Sequence, residues 1–154
     1  MKHSTVVCGI GNPMLKDDRA GIEIAERVEQ NHLPVDTQVI FGVGFEVNDK
    51  IMGYDRAIII DAAKTGASPG TIHEVTIDDI FESHRLVVSH AITLGSTLKV
   101  GYELFPDEMP EQLTIFLIEA EDYAEFTKIC SPSVQDALDR VYQMIQESVE
   151  GAPQ

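Results

Sequence analysis

The chain has 154 residues, 44% of them apolar and 24% charged, with a formal net charge of −15 at pH 7. That length suits one domain that buries about two-thirds of the surface its unfolded form exposes, and no window approaches the ~18 uninterrupted apolar residues of a helical membrane span. Phosphate-backbone recognition depends on concentrated Lys and Arg, so the acidic balance argues against nucleic acid; it suits a solvated acidic surface, a basic protein partner or a metal cation.

The opening residues Met1-Lys2-His3-Ser4 lead into a short apolar run that soon meets Gly9-Ile10-Gly11-Asn12. A secretory segment would be longer and end in a cleavage site, so a soluble cytoplasmic protein is expected. Residues 4–8 read as a short β-branched strand, residues 9–17 as a loop containing Gly, Asn and Pro, and residues 18 to about 31 as a helix. In that helix Ile22, Ala25 and Val28 recur on one face, with Asp17 or Asp18 placed to cap its first turn.

A second strand is predicted over residues 37–41, a turn over 42–44 and a short helical stretch over 45–52. The run Ala57-Ile58-Ile59-Ile60 is apolar on both faces, the mark of a strand buried in a parallel sheet between helices. After Asp61 and a turn-rich stretch, residues 71–77 alternate as on an antiparallel edge strand, and Leu86-Val87-Val88-Ser89 reads as extended. Residues 91–104 form a helix with Ala91, Leu94, Leu98 and Tyr102 on one stripe, and residues 113–118 form a buried strand.

Ser131-Pro132 opens a last helix whose apolar face is Val134, Ala137, Leu138, Val141, Ile145 and Val149, with Pro132 at the first helical position, where its missing N–H costs nothing. The order of elements predicts an α/β fold: a three-layer α-β-α sandwich whose sheet has about five strands, mostly parallel, with one antiparallel edge. One domain is expected over residues 1–150, followed by a frayed tail over 151–154. Cys8 and Cys130, in no CxxC motif, suit a reducing compartment and pack as small apolar residues.

Ligands of open parallel sheets sit beyond the carboxyl ends of the strands, so the informative residues are those that follow strands. Asp18 lies past the first strand and its glycine loop, Asp61 ends the most buried strand, and His90 follows the run 86–89. Two carboxylates and an imidazole suit a divalent transition metal such as zinc or nickel, and three protein ligands leave positions open for substrate or a polarised water. Each residue also has a plainer reading, as a helix cap, a turn former and a surface histidine respectively, and no short-spaced ligand motif joins them. A phosphate-cradling role for residues 9–14 fits poorly, because Met14 stands where a dinucleotide fingerprint needs glycine and Asp17 and Asp18 would oppose the phosphate.

The stretch from Gly9-Ile10-Gly11-Asn12 through Asp17-Asp18 to Gly21 resembles the opening signature of the nickel-iron hydrogenase maturation proteases, as do Ile58-Ile59-Ile60-Asp61-Ala62, Ser89-His90 with Leu94, and Ser131-Pro132-Ser133-Val134. The resemblance implies an endopeptidase that removes the C-terminal extension of a nickel-iron hydrogenase large-subunit precursor after nickel insertion. It also implies that Asp18, Asp61 and His90 are the catalytic and metal-engaging residues. On this reading the nickel is supplied by the precursor, zinc or cadmium can occupy the site in vitro, and the enzyme is expected to be a monomer without membrane or nucleic-acid partners. Departures from the family pattern fall at Arg19-Ala20, Gly42-Val43-Gly44 and Lys128-Ile129-Cys130 and remove none of the three residues. The alternatives are a non-catalytic metal-binding maturation partner and a Rossmann-like nucleotide-binding module.

Overall fold

A computed structural model describes residues 3–87 and 89–150. The chain begins with β1 (Thr5–Ile10), a 3₁₀ turn at Asp17–Arg19, α1 (Ala20–Gln30), β2 (Asp36–Ile40), α2 (Glu46–Ile51) and β3 (Arg56–Ala63). It continues through β4 (Ile72–Val75), α3 (Ile77–Glu82), α4 (His84–Val87), α5 (Ala91–Leu104), β5 (Gln112–Glu119) and α6 (Pro132–Glu150).

The five strands form one sheet in the order β2-β1-β3-β5-β4. β1 runs parallel to β2 and β3, and β3 parallel to β5. β4 closes the edge antiparallel to β5, Ile72 opposite Ile118 and Val75 opposite Ile115. The predicted sandwich and its antiparallel edge are thus what the chain forms.

Alternation along β3 explains the two-sided core. Ile58, Ile60 and Ala62 face the layer of α1 and α6, where Ile24, Val28, Val134, Leu138, Val141 and Ile145 are buried. Ala57, Ile59 and Ala63 face the layer of α2, α3 and α5, against Val47, Ile51, Ile80, Leu94 and Leu98. Each fully buried Ile or Leu contributes about 1.5–3 kcal/mol relative to exposure, so β3, buried from Ala57 to Ala63, anchors both layers. All six residues of the predicted apolar face of α6 are buried.

Three local readings need correction. The run 86–89 is not a strand: Leu86 and Val87 belong to α4, whose start is held by Ser83 Oγ accepting from the Leu86 amide, while Val88 lies outside the described residues. The edge strand stops at Val75 because Thr76 caps α3 with a reciprocal box, its Oγ1 accepting from the Asp79 amide and Asp79 Oδ2 accepting from the Thr76 amide. Neither Asp17 nor Asp18 caps α1, since both side chains are engaged elsewhere.

The expected tail at 151–154 lies outside the described residues. Among the described residues no helix is long and apolar enough to cross a membrane.

Candidate active site

The connection from β1 to β2 leaves one side of β1 and the path to β3 returns on the other, so the topological switch point lies at the carboxyl ends of β1 and β3. Glycines let the chain close this crevice. Gly11 has φ +149°, and a Cβ there would collide with the Asp18 carbonyl oxygen; a Cβ on Gly21 would collide with the Ile60 carbonyl oxygen. The start of α1 therefore rests directly on the backbone of β1 and β3, beside Asp61.

Asp18 is half-buried, and its Oδ2 accepts from the Asn12 amide at 3.1 Å. Burial pushes its carboxyl above the ordinary value, while the Asn12 N–H and nearby His90 pull it back. Asp61, only 3% exposed, accepts from the Ala62 amide at 2.9 Å. Burial and then the charge of Asp18 raise its carboxyl to about 8, against the opposing Ala62 N–H. At neutral pH Asp61 is therefore a neutral acid beside a second carboxyl group, a separation of roles that acid–base chemistry uses.

His90 is exposed at the residue preceding α5, and its ring lies 5.8 Å from that of Tyr123, tilted by 58°. Electrostatics links Asp61 to Asp18 and Asp18 to His90, so the three residues picked from strand and helix ends share one edge of the sheet. Among the described residues no three His, Cys, Asp or Glu side chains are already arranged to hold a metal ion. A cation brought to this edge would have to displace the proton of Asp61 and draw the groups together.

Two residues that contribute to this edge escaped sequence reasoning. Asp17 is fully buried and accepts from the Ser131 amide (2.7 Å), Ser131 Oγ (2.9 Å), and the Glu121 and Asp122 amides (2.8 and 2.9 Å). It ties the loop carrying Asp18 to the segment between β5 and α6. Tyr123, on that segment, has a buried hydroxyl with no hydrogen-bond partner. The tandem Asp17-Asp18 could have hinted at the first; nothing local marks the second.

The backbone amides of the glycine loop from Gly11 to Asp17 are already engaged. The Gly11 amide donates to the Ile40 carbonyl, Asn12 to Asp18, Met14 to Asn12 Oδ1, Leu15 to the Asn12 carbonyl, Lys16 to the Glu125 carbonyl and Asp17 to the Asp122 carbonyl. A phosphate would have to break these bonds and face two carboxyl groups. A depression of about 640 Å³ lined by His3, Leu33 and Asp36 lies at the amino end of β2 and contains none of the three candidate residues.

Fold and edge together define an α/β protein that gathers two acid groups and an imidazole at one edge of its sheet. The chain belongs to the hydrogenase maturation protease family, whose model matches residues 22–148. Asp61 and His90 fall inside that match and Asp18 just before it. The hydrogenase 2 maturation protease of Escherichia coli (strain K12) is 28% identical over 158 residues, covering 96% of this chain and 94% of that protein. The hydrogenase 3 maturation protease of the same strain is 27% identical, covering 92% and 88%.

The hydrogenase maturating endopeptidase HybD from E. coli superposes with a TM-score of 0.72 at 23% identity, over 98% of this chain and 93% of that one. The [NiFe] hydrogenase maturation protease HybD from Thermococcus kodakarensis gives 0.72 at 20% identity, over 97% and 99%. These likenesses establish the fold, and family membership makes the chain a peptidase.

Proposed function

We propose that this protein is an endopeptidase that removes the C-terminal extension of a nickel-iron hydrogenase large-subunit precursor once nickel is in place, and that Asp18, Asp61 and His90 engage that nickel. The observation that carries the reading is Asp61: a carboxylic acid buried near the carboxyl end of β3, beside Asp18, which in turn feels the charge of His90. Left alone, this arrangement holds a proton where a cation could bind. A precursor presenting nickel exchanges that proton for the metal, so that affinity reports whether the precursor is loaded.

Hydrolysis itself requires a water oxygen to bond to the scissile carbonyl carbon, the C–N bond to break, and the leaving nitrogen to gain a proton. Asp18, more accessible than Asp61 and with a raised carboxyl pKa, is suited to take the proton of the attacking water and return it to the leaving amine. Nickel enters as part of the substrate; zinc or cadmium, with the same taste for nitrogen and oxygen donors, would compete for the edge in vitro.

The rim suits a folded protein substrate. Phe41 (71% exposed), Phe126 (81%) and Ile129 (66%) project from loops next to the carboxyl ends of the strands, and the isolated bridge of Leu15 to Phe126 ties the segment between β5 and α6 to the loop after β1. Cys8 and Cys130 are free and buried, with thiols pushed up to about 12, in keeping with a cytoplasmic setting in which they do no chemistry. We take the working form to be a monomer, which leaves this face open to a large partner.

The test is a panel of Asp18→Ala, Asp61→Ala and His90→Ala, each checked for folding by circular dichroism and then incubated with nickel-loaded precursor. The reading expects three folded proteins and no cleavage. Cleavage at the wild-type rate by all three would remove the site. Binding of loaded precursor by wild-type protein without cleavage would favour the non-catalytic partner.

A further inference from the structure

The sheet ends in β4 on one side and in β2 on the other, and only β4 is guarded. β4 is four residues long, carries the exposed Glu74 and is cut off by the Thr76 capping box, devices that keep an edge from pairing with another chain. β2 has no proline, no lysine and no bulge, and its register with β1 is unbroken from Asp36 to Ile40. Its one charged residue, Asp36, is turned to its own fold, accepting from Tyr54 Oη at 2.7 Å and from the His3 amide at 3.4 Å.

One bond fixes the direction of the free backbone groups. The Ile40 carbonyl accepts from the Gly11 amide at 3.0 Å, so Ile40, and with it Gln38 and Asp36, turn their backbone groups toward β1. Thr37 and Val39 therefore present their N–H and C=O groups outward. The Ile40 side chain lies in the layer of α2 and α5, which puts the exposed Val39 on the opposite face, and Phe41 stands exposed one residue beyond the strand. An apolar edge left open in this way takes an extended peptide by main-chain pairing, with alternate side chains of the peptide packing on Val39.

The position of this edge identifies the peptide. Asn12, which follows Gly11, donates its amide to Asp18, so the carboxyl end of β2 lies directly beside the loop that holds Asp18. The amino end opens on the depression of about 640 Å³, whose lining includes Thr37 and Gln38 of the same strand. We propose that the C-terminal extension of the precursor adds to β2 as a further strand, running antiparallel to it from the scissile bond at the Asp18 edge down to this depression. The five residues of β2 offer roughly 17 Å of edge, enough for about five residues of extended chain. A second copy of the chain is a poor occupant, because pairing would bring together two proteins that each carry a net charge of −15. The proposal rests on the endopeptidase reading above and adds to it where the released peptide is held.

The experiment measures steady-state cleavage of nickel-loaded precursor by wild type, Val39→Pro and Val39→Lys, with the melting temperature of each. Proline removes the outward N–H of residue 39 and leaves the ladder to β1 whole, the setting in which an edge strand tolerates it; lysine keeps that N–H and installs the guard that β2 lacks. The expected result is a rise in KM of about 10-fold for each variant, with kcat within about twofold, since pairing of the extension holds ground and transition states alike. An unchanged KM in folded Val39→Pro overturns the proposal. If that variant does not fold, an unchanged KM in Val39→Lys, a change at an exposed side chain, overturns it. Free wild type that sediments as a dimer, which Val39→Lys dissolves, gives the edge to a second copy and likewise overturns it. Wild-type protein that leaves loaded precursor intact overturns the endopeptidase reading itself, and this proposal with it.

Discussion

Asp61→Asn should make the free protein more stable while removing its activity, and the gain should depend on pH. The Asp61 carboxyl is raised from an ordinary 3.8 to about 8 in the fold. A group raised in this way contributes its stability below the unfolded value and loses it as pH climbs through the folded value, at 1.36 kcal/mol per pH unit. Between pH 4 and 8 the unfolded chain ionises Asp61 and the folded chain does not. By pH 7 the wild type has forfeited about 4 kcal/mol.

Asparagine copies the protonated acid. Its Oδ1 keeps the bond from the Ala62 amide, and its NH₂ carries no charge to set against that of Asp18. Urea unfolding of wild type and Asp61→Asn at pH 4.5 and pH 7.5 checks this. An advantage for the variant of only about 1 kcal/mol is expected at pH 4.5, and one of about 5 kcal/mol at pH 7.5. A variant that is equally or less stable at both values would refute the reasoning, because Asp61 would then be ionised in the fold at little cost.

Asp17→Asn should be the opposite case: its amide would present hydrogens to donors that now converge on a carboxylate, costing about 3 kcal/mol or more, read by urea unfolding, with a loss below about 1 kcal/mol counting against the clamp. Gly21→Ala should destabilise by roughly 1–3 kcal/mol and slow cleavage, because its Cβ meets the backbone of β3 and β1, which cannot move aside; a neutral effect on the melting temperature would contradict this. Thermal shift with ATP, NAD and nickel should show stabilisation by the metal and none by the nucleotides. Stabilisation by a nucleotide alone would revive the phosphate-loop reading.

The elements that the sequence made legible are those whose signal is local. Ala57-Ile58-Ile59-Ile60 announces a strand covered on both faces, and the spacing from Val134 to Val149 announces the buried stripe of α6. Asp61 could be singled out because it stands where such an apolar run ends, whereas His90 was picked behind residues 86–89, a run that is not a strand. α3 was hidden because Ile72 to Val75 alternate smoothly into it, and its stop signal is an Asp79 side chain reaching back to Thr76. α4 was misread because Leu86 and Val87 are apolar neighbours that suit a strand by propensity, whereas only Leu86 is buried.

What the sequence could not reveal was long-range pairing. Asp17 finds its donors at Glu121, Asp122 and Ser131, more than 100 residues away, and no spacing foretells that a second aspartate next to Asp18 is the loop's anchor. Tyr123 is equally silent in sequence, one of two aromatics in a polar segment. The partnership of the two carboxyls is likewise a product of the crossover that brings β1 beside β3, and the shift of Asp61 is a product of its burial there.

The central claim is that cleavage depends on nickel already seated in the precursor. Intact-mass analysis of nickel-loaded and nickel-free large-subunit precursor, each incubated with wild type and with Asp18→Ala, tests it directly. Loss of one C-terminal peptide from the loaded precursor only, and only with the wild type, is the predicted result. Equal trimming of both precursors, or trimming by Asp18→Ala at the wild-type rate, would contradict it.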